Sequence, residues 1–304
     1  MKVSVVVPTY SMDRYPDFKE CCDSVLAQTY DDIQLVIIVD GNDDVCEKAR
    51  KDYGDRNDTK IFCSHDDAGP ISRANMGSVV SDGDIVALTD DDAVPRIDWV
   101  EKLVETYERH DAVAVGGRIV PEWVAGYASY IPEEFYFLIG ATHKGFRKDE
   151  GEVRNTFGAN LSYDREAYLK LGGIKQGGLG PKKIQGRETE FCVRLEEEYG
   201  KGVIYNPEAV VSHKIYDFRK NPIWLVKRAF WQGYSKRGME KLMPKTQDGE
   251  EVDFLGDLLN EFIPGRFDSM VEKKSPSEAL QLLMLLILTF SVGLGYLWGA
   301  LRWR

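Results

Sequence analysis

The chain has 304 residues, enough for one large core or two smaller ones. It carries 50 acidic against 39 basic residues, and a formal charge of −11 argues against a nucleic-acid binder. The acidic balance leaves room for a high-salt cytoplasm, and the five cysteines (Cys21, Cys22, Cys46, Cys63, Cys192) are odd in number and lack metal-knuckle spacing, so they read as reduced intracellular thiols used as buried filler.

In chain order, Val3 to Val7 is an apolar β-rich run stopped by Pro8-Thr9-Tyr10. It is too short for a signal-peptide core, and none is expected at this end. Phe18, Cys22, Val25 and Leu26 then recur at helical spacing. Gln34 to Val39 reads as a second strand, followed by the turn-rich acidic loop Asp40-Gly41-Asn42-Asp43-Asp44. Val45 to Tyr53 reads as a helix and Lys60 to Cys63 as a third strand. Gly69-Pro70 opens a helix that carries Arg73 and Asn75. Ile85 to Leu88 is a fourth strand running straight into Thr89-Asp90-Asp91-Asp92.

Strands alternating with helices at this pace predict a right-handed parallel βαβ sheet. The carboxyl ends of its strands face the ligand crevice, and that edge collects Thr9, Asp40 and the three aspartates. Clustered carboxylates repel one another. A hard divalent cation, Mg²⁺ or Mn²⁺, relieves that repulsion and can in turn hold a diphosphate. The bland alternative is a solvated acidic turn; the buried strand just before the acids favours the metal.

Trp99 to Glu108 reads as an amphipathic helix and Ala112 to Val120 as a strand broken by Gly116-Gly117. Glu122 to Lys148 is aromatic and irregular. Phe157-Gly158-Ala159-Asn160 lies in an extended stretch, and Arg165 to Leu171 is a helix capped by Gly172-Gly173. Gly177 to Pro181 reads as a flexible loop. A helix from about Gly186 to Tyr199 puts Glu188, Phe191, Cys192 and Leu195 on one face and points Glu190 elsewhere. Val203 to Tyr205 and Ala209 to Val211 are short strands, the second leading to His213.

Trp224 to Arg237, which includes Trp231, is a basic aromatic helix suited to an acceptor, a phosphate or anionic headgroups. Residues 240–278 read as a linker, with an amphipathic piece from Phe254 to Phe262 that suits a membrane surface. Ala279 to Leu301 holds no charged residue, and such a helix of roughly 34 Å spans a bilayer core of about 30 Å. Lys273, Lys274, Arg302 and Arg304 flank it, and Tyr296, Trp298 and Trp303 sit near its end, so a membrane anchor is expected rather than a buried helix.

Taken in order, these pieces resemble an inverting, GT-A-type glycosyltransferase of family 2 over about residues 1–235. The matching segments are Val5-Val6-Val7-Pro8-Thr9-Tyr10, Val39-Asp40-Gly41, Gly69 to Gly77, Thr89-Asp90-Asp91-Asp92, Phe157 to Asn160 with Gly172-Gly173, and Gly186 to Phe191. The resemblance implies a single mostly parallel α/β sheet with helices on both faces, to which the apolar tail adds a C-terminal transmembrane helix. The expected division is a catalytic domain over 1–238, a linker over 239–278 and a membrane helix over 279–301. It places Pro8, Thr9, Tyr10, Asp40, Arg73, Asn75, Asp90 and Asp91 around the nucleotide sugar. Asp92 would be the direct metal ligand, and His213 would reach the metal or the diphosphate. Asn160, Glu190 and Trp231 would lie on the acceptor side.

An inverting transfer needs a base for the acceptor hydroxyl and a cation for the departing nucleoside diphosphate. Glu188 stands at the base position, where the family usually has aspartate, and is preferred over Glu190. Arg187 stands where the family often has glutamate, and its charge would lower a neighbour's pKa. The implied reaction moves a sugar from a nucleotide-diphosphate sugar to a membrane-associated acceptor. That acceptor is a polyprenyl-phosphate-linked glycan of a protein N-glycosylation pathway, or a surface polysaccharide. The enzyme would be single-pass in the cell membrane, its catalytic domain on the cytoplasmic side. Alternatives are a polyprenyl-phosphate monosaccharide synthase and a non-catalytic, membrane-tethered nucleotide-sugar binder. A nucleotidyltransferase would want a glycine-rich basic loop, and Thr9 to Arg14 offers only Arg14.

Overall fold

Two runs of valine and isoleucine set the centre of the sheet. Every residue from Val3 to Val7 and from Gln34 to Asp40 is buried, the signature of parallel strands covered on both faces. Each such side chain contributes about 1.5–3 kcal/mol by leaving water. The computed structural model describes residues 1–65, 69–175, 186–243, 254, 256–273 and 275–303. In it Val3–Thr9 (β1) runs parallel to Ile33–Asp40 (β2), with Val3 opposite Ile33 and Thr9 opposite Val39. Thr59–Ser64 (β3) adds to β2 in parallel, and Ile85–Leu88 (β4) adds to the other side of β1.

The crossovers are Tyr15–Leu26 (α1), Asp43–Tyr53 (α2) and Pro70–Val80 (α3). Asn42 caps α2 by accepting from the Val45 amide. Pro70 occupies the first turn of α3 behind Gly69, whose φ of 85° favours glycine. This half is the parallel βαβ array expected from the periodicity.

Beyond β4 the sheet turns antiparallel. Leu161–Asp164 (β8) pairs with β4, and Ala114–Glu122 (β6) pairs with β8. Val203–Lys214 (β9) follows β6, with Ala93–Pro95 (β5) at the edge, giving the order β3-β2-β1-β4-β8-β6-β9-β5. Gly151–Val153 (β7) pairs separately with β9. Trp99–His110 (α4), Arg165–Lys170 (α5) and Arg187–Tyr199 (α6) complete this part.

Gly116 and Gly117 do not break β6. A Cβ on Gly117 would strike the Ala209 carbonyl, and one on Gly116 the Thr156 hydroxyl, so both glycines serve close approach. The two short strands expected around Asn206-Pro207 are one strand, β9.

The chain divides into two units. The first comprises Met1–Val120, Asp149–Gly177 and Glu188–His213; the second contains Pro121–Lys148 and Lys214–Arg304. Among the described residues, helices of the second include a 3₁₀ segment Glu133–Ile139, Asp217–Lys220 (α7), Pro222–Leu242 (α8), a π turn Leu258–Phe262, Ile263–Lys273 (α9) and Pro276–Arg302 (α10). The expected linker is therefore largely helical among its described residues. Leu258 and Phe262 are buried, and Arg266 of α9 makes a two-pronged pair with buried Glu134, which ties the segment down.

One thiol expectation is corrected. Cys46 of α2 and Cys63 of β3 form a disulfide, because these neighbouring elements bring their Cα atoms to 6.0 Å. Cys21, Cys22 and Cys192 are buried thiols outside the disulfide. The expected loop at Gly177 to Pro181 lies outside the described residues.

Candidate active site

The acids follow from how β4 ends. Ile85 to Leu88 is fully buried, the chain turns through Asp90–Asp92, and it re-enters the sheet as β5. The strand β5 pairs antiparallel with β9 so that Ala93 faces His213. That register brings the His213 Nε2 to 3.3 Å from Asp92 Oδ1. Asp90, Asp92 and His213 each present one ligand atom, all within 4.8 Å of one another. Asp90 is exposed, whereas Asp92 and His213 are buried. Two carboxylates and an imidazole suit Mn²⁺ well and Mg²⁺ adequately, so the residues present fit a divalent cation.

Arg14 joins this cluster, and the sequence reading did not assign it a role there. It ends a short 3₁₀ turn, Met12–Arg14, that Ser11 caps. Its Nη2 lies 3.0 Å from Asp91 Oδ1 and 2.5 Å from Asp92 Oδ2. Thr9 at the end of β1 donates to Asp91 Oδ2 at 3.1 Å. Burial pushes the Asp91 carboxyl up to about 7; Arg14 and the Thr9 hydroxyl oppose the rise, while Asp92 and Asp90 add to it. The available signal was that Arg14 is the sole cation between the first strand and the first helix.

At the end of β2, buried Asp40 accepts from the Gly69 amide at 3.1 Å and forms an ion pair with Arg73, whose Nε lies 3.2 Å from Oδ2. The Arg73 guanidinium lies 4.9 Å from the centre of the half-exposed Tyr10 ring. Pro8 sits within β1 opposite Ile38. Asn75 is engaged in the fold: it donates to the Ile174 carbonyl at 2.8 Å and accepts from Tyr168 at 2.5 Å and the Ile174 amide at 3.0 Å. It therefore clips α3 to the Gly172-Gly173 turn.

The carboxylate of Glu188, in the first turn of α6, packs over Gly158, and a Cβ there would lie 3.4 Å from its Oε1. The Arg187 side chain is outside the described residues. Glu190 is buried and held by Lys175 at 2.8 Å and by two nitrogens of Arg194 at 2.7 and 3.0 Å. Burial raises its pKa, but the Arg194 and Lys175 hydrogen bonds win and hold it below the usual carboxylate range. A carboxylate so engaged is a weak proton acceptor, which separates Glu190 from Glu188 chemically. Asn160 is a buried brace: it accepts from Trp99 Nε1 at 2.8 Å and donates to the carbonyls of Arg118 and Ala209 at 3.0 and 2.8 Å. Trp231 is on α8 of the second unit, half-exposed.

Residues 4–172 match glycosyl transferase family 2. The chain is 44% identical, over 99% of its length and 97% of the relative's, to a glucosyl-dolichyl phosphate glucuronosyltransferase of Haloferax volcanii. Its fold is similar to the mannosyltransferase PcManGT of Pyrobaculum calidifontis, solved with GDP-Man and Mn²⁺, at a TM-score of 0.60 and 17% identity, covering 98% of this chain and 87% of that one. Residues 1–349 of S. aureus TarS give a TM-score of 0.53 at 15% identity, covering 96% of this chain and 81% of that one. With a GT-A sheet, an acidic strand end facing a histidine and a relative alike from end to end, the chain belongs to glycosyl transferase family 2 and is a glycosyltransferase.

Proposed function

We propose that this glycosyltransferase moves a uronic acid from its nucleoside diphosphate to a polyprenyl-phosphate-linked sugar, with inversion, at the cytoplasmic side of a membrane. The convergence of Asp90, Asp92 and His213 at the end of β4 carries the reaction. The end-to-end likeness to the Haloferax protein, a glucosyl-dolichyl phosphate glucuronosyltransferase, supports the donor and acceptor classes.

In this reading Tyr10, Asp40 and Arg73 line the nucleotide, with Pro8 and Thr9 shaping the turn beneath it. Asp92 and His213 would hold the cation, with Asp90 toward the ribose. When bound, the cation stabilises negative charge on the departing diphosphate. Glu188 accepts the proton of the acceptor hydroxyl as that oxygen attacks the anomeric carbon.

The test uses membranes bearing the full-length protein, with Mn²⁺ and a panel of UDP-glucuronic acid, UDP-glucose and GDP-mannose. Acceptors are glucosyl-polyprenyl phosphate and bare polyprenyl phosphate. Glucuronosyl transfer to the glucosylated lipid, abolished by EDTA, is expected. Transfer to the bare phosphate would instead make the protein a monosaccharide-lipid synthase. Donor binding without turnover on either acceptor would make it a binding protein.

A further inference from the structure

The helix α10 is long and apolar enough to cross a bilayer, yet one stripe of it is buried from its first turn to its last. That stripe holds Glu278, Leu285, Leu288, Ser291, Gly295 and Gly299. Near its start, Gln281 donates to the Ser129 carbonyl at 2.6 Å, and Arg266 of α9 reaches both Gln281 and Glu278. Its second half lies along α8. Ser291 Oγ donates to the Val226 carbonyl at 2.8 Å, a Cβ on Gly295 would strike the Phe230 carbonyl, and one on Gly299 would come to 3.2 Å from the Tyr234 carbonyl. These contacts advance four residues at a time on both helices, so the two run in the same direction.

This packing decides the membrane geometry. The contact at Val226 puts Lys227 and Arg228, both exposed, level with Ser291, near the middle of α10. If α10 crossed the bilayer as packed, α8 would go with it and carry two exposed cations to the hydrocarbon midplane, too deep to snorkel out. A helix laid on its own protein along its whole length has the form of an interfacial helix. The opposite stripe of α10 is apolar and open: Leu283, Ile287, Phe290, Leu294, Leu297 and Leu301 are 38–68% exposed.

We propose that α10 lies in the plane of the membrane, its open leucine-rich stripe immersed, with Lys227, Arg228 and Trp231 of α8 against anionic headgroups, and does not cross. The inference rests on the membrane association proposed above and replaces the single-pass topology expected from hydropathy. Phe267 and Val271, half-exposed on α9, supply further apolar surface of the same kind.

Sidedness tests it. Ser277→Cys and Arg302→Cys, at opposite ends of α10, are placed singly in the full-length chain and probed with an impermeant maleimide on right-side-out and inverted membrane vesicles, with the parent as background. Both cysteines reacting in inverted vesicles alone is expected; reaction of one in each vesicle type overturns the proposal. A second measurement partitions purified full-length protein between buffer and phosphatidylglycerol or phosphatidylcholine vesicles. Lys227→Gln/Arg228→Gln should lower partition onto the anionic vesicles about tenfold or more and leave the zwitterionic value unchanged; equal partition overturns the headgroup contact. A protein found in no membrane fraction would defeat the membrane reading itself, while the donor assay would still report transfer.

Discussion

Two carboxylate sites in this chain meet arginine in different ways. Glu134, in the second unit, is fully buried and receives Arg266 through two nitrogens at 3.1 and 2.9 Å, one on each oxygen, with Lys144 at 3.4 Å. That fork saturates one carboxylate and closes the site. In the first unit Arg14 Nη2 lies against both Asp91 and Asp92, and Asp90, Asp92 and His213 bring one ligand atom each within 4.8 Å of one another. There negative charge is gathered rather than cancelled, and Asp91 shows it by rising to about 7 through burial and its acidic neighbours. A paired charge fixes structure; an acidic cluster with convergent ligand atoms can hold a cation.

Removing a ligand should break this contrast most sharply. Asp92→Ala is expected to cut transfer by about 10³-fold or more, since a bound cation supplies several kcal/mol to the departing diphosphate. Mn²⁺ binding by calorimetry should be lost while the circular dichroism spectrum is kept; normal metal binding in this variant would displace Asp92 from the site. Next comes Glu188→Gln, expected to lower kcat about 10²–10⁴-fold with donor affinity retained. Glu190→Gln is the matched control, because Glu190 is bound to Lys175 and Arg194. It should lower thermal stability and change kcat far less. If the two variants trade these phenotypes, Glu190 is the base.

The closed cluster predicts a stability effect instead. Glu134→Ala removes the fork from half-buried Arg266, which keeps Gln281 and Glu278, and should cost about 1.5–3 kcal/mol in denaturant unfolding, the range for a lost charge-assisted hydrogen bond. Adding Arg266→Met should recover much of that loss. If the double variant is no more stable than Glu134→Ala, the pair is not the source of the cost.

The first unit was the more legible part. Three of the four parallel strands announced themselves because Val3–Val7, Gln34–Val39 and Ile85–Leu88 are largely apolar runs, and the acids follow the last of them after Thr89. The linear order also held Glu188 and Glu190 two residues apart on a helix, enough to predict that they differ. What could not be read was non-local pairing. Arg14 reaches residues 77 and 78 positions away through the β1–β4 pairing. His213 is fixed by an antiparallel β5 of three residues, too short to carry a period. Asn75 and Asn160 look like site residues by motif, yet the structure occupies them with the Ile174 turn and with Trp99. Hydropathy described α10 correctly as apolar but was blind to the stripe it buries, which Ser291, Gly295 and Gly299 mark only once α8 is beside it.

The smallest effect expected concerns Asp91, and its sign follows from the direction of its shift. Its pKa is about 7 in the folded chain and near 4 when unfolded, so the folded state holds this proton more tightly. For this group, stability is fully present below about pH 4 and is lost as pH rises through about 7, where the buried carboxylate must ionise. Asp91→Asn removes that ionisation and leaves an oxygen for the Thr9 hydroxyl. In EDTA the variant should melt several degrees above the parent at pH 8 and close to it at pH 5. Saturating Mn²⁺ should narrow the gap at pH 8, because a cation beside Asp91 favours its charged form. An equal gain at both pH values would assign the stabilisation to side-chain packing and remove Asp91 from the electrostatics of the site.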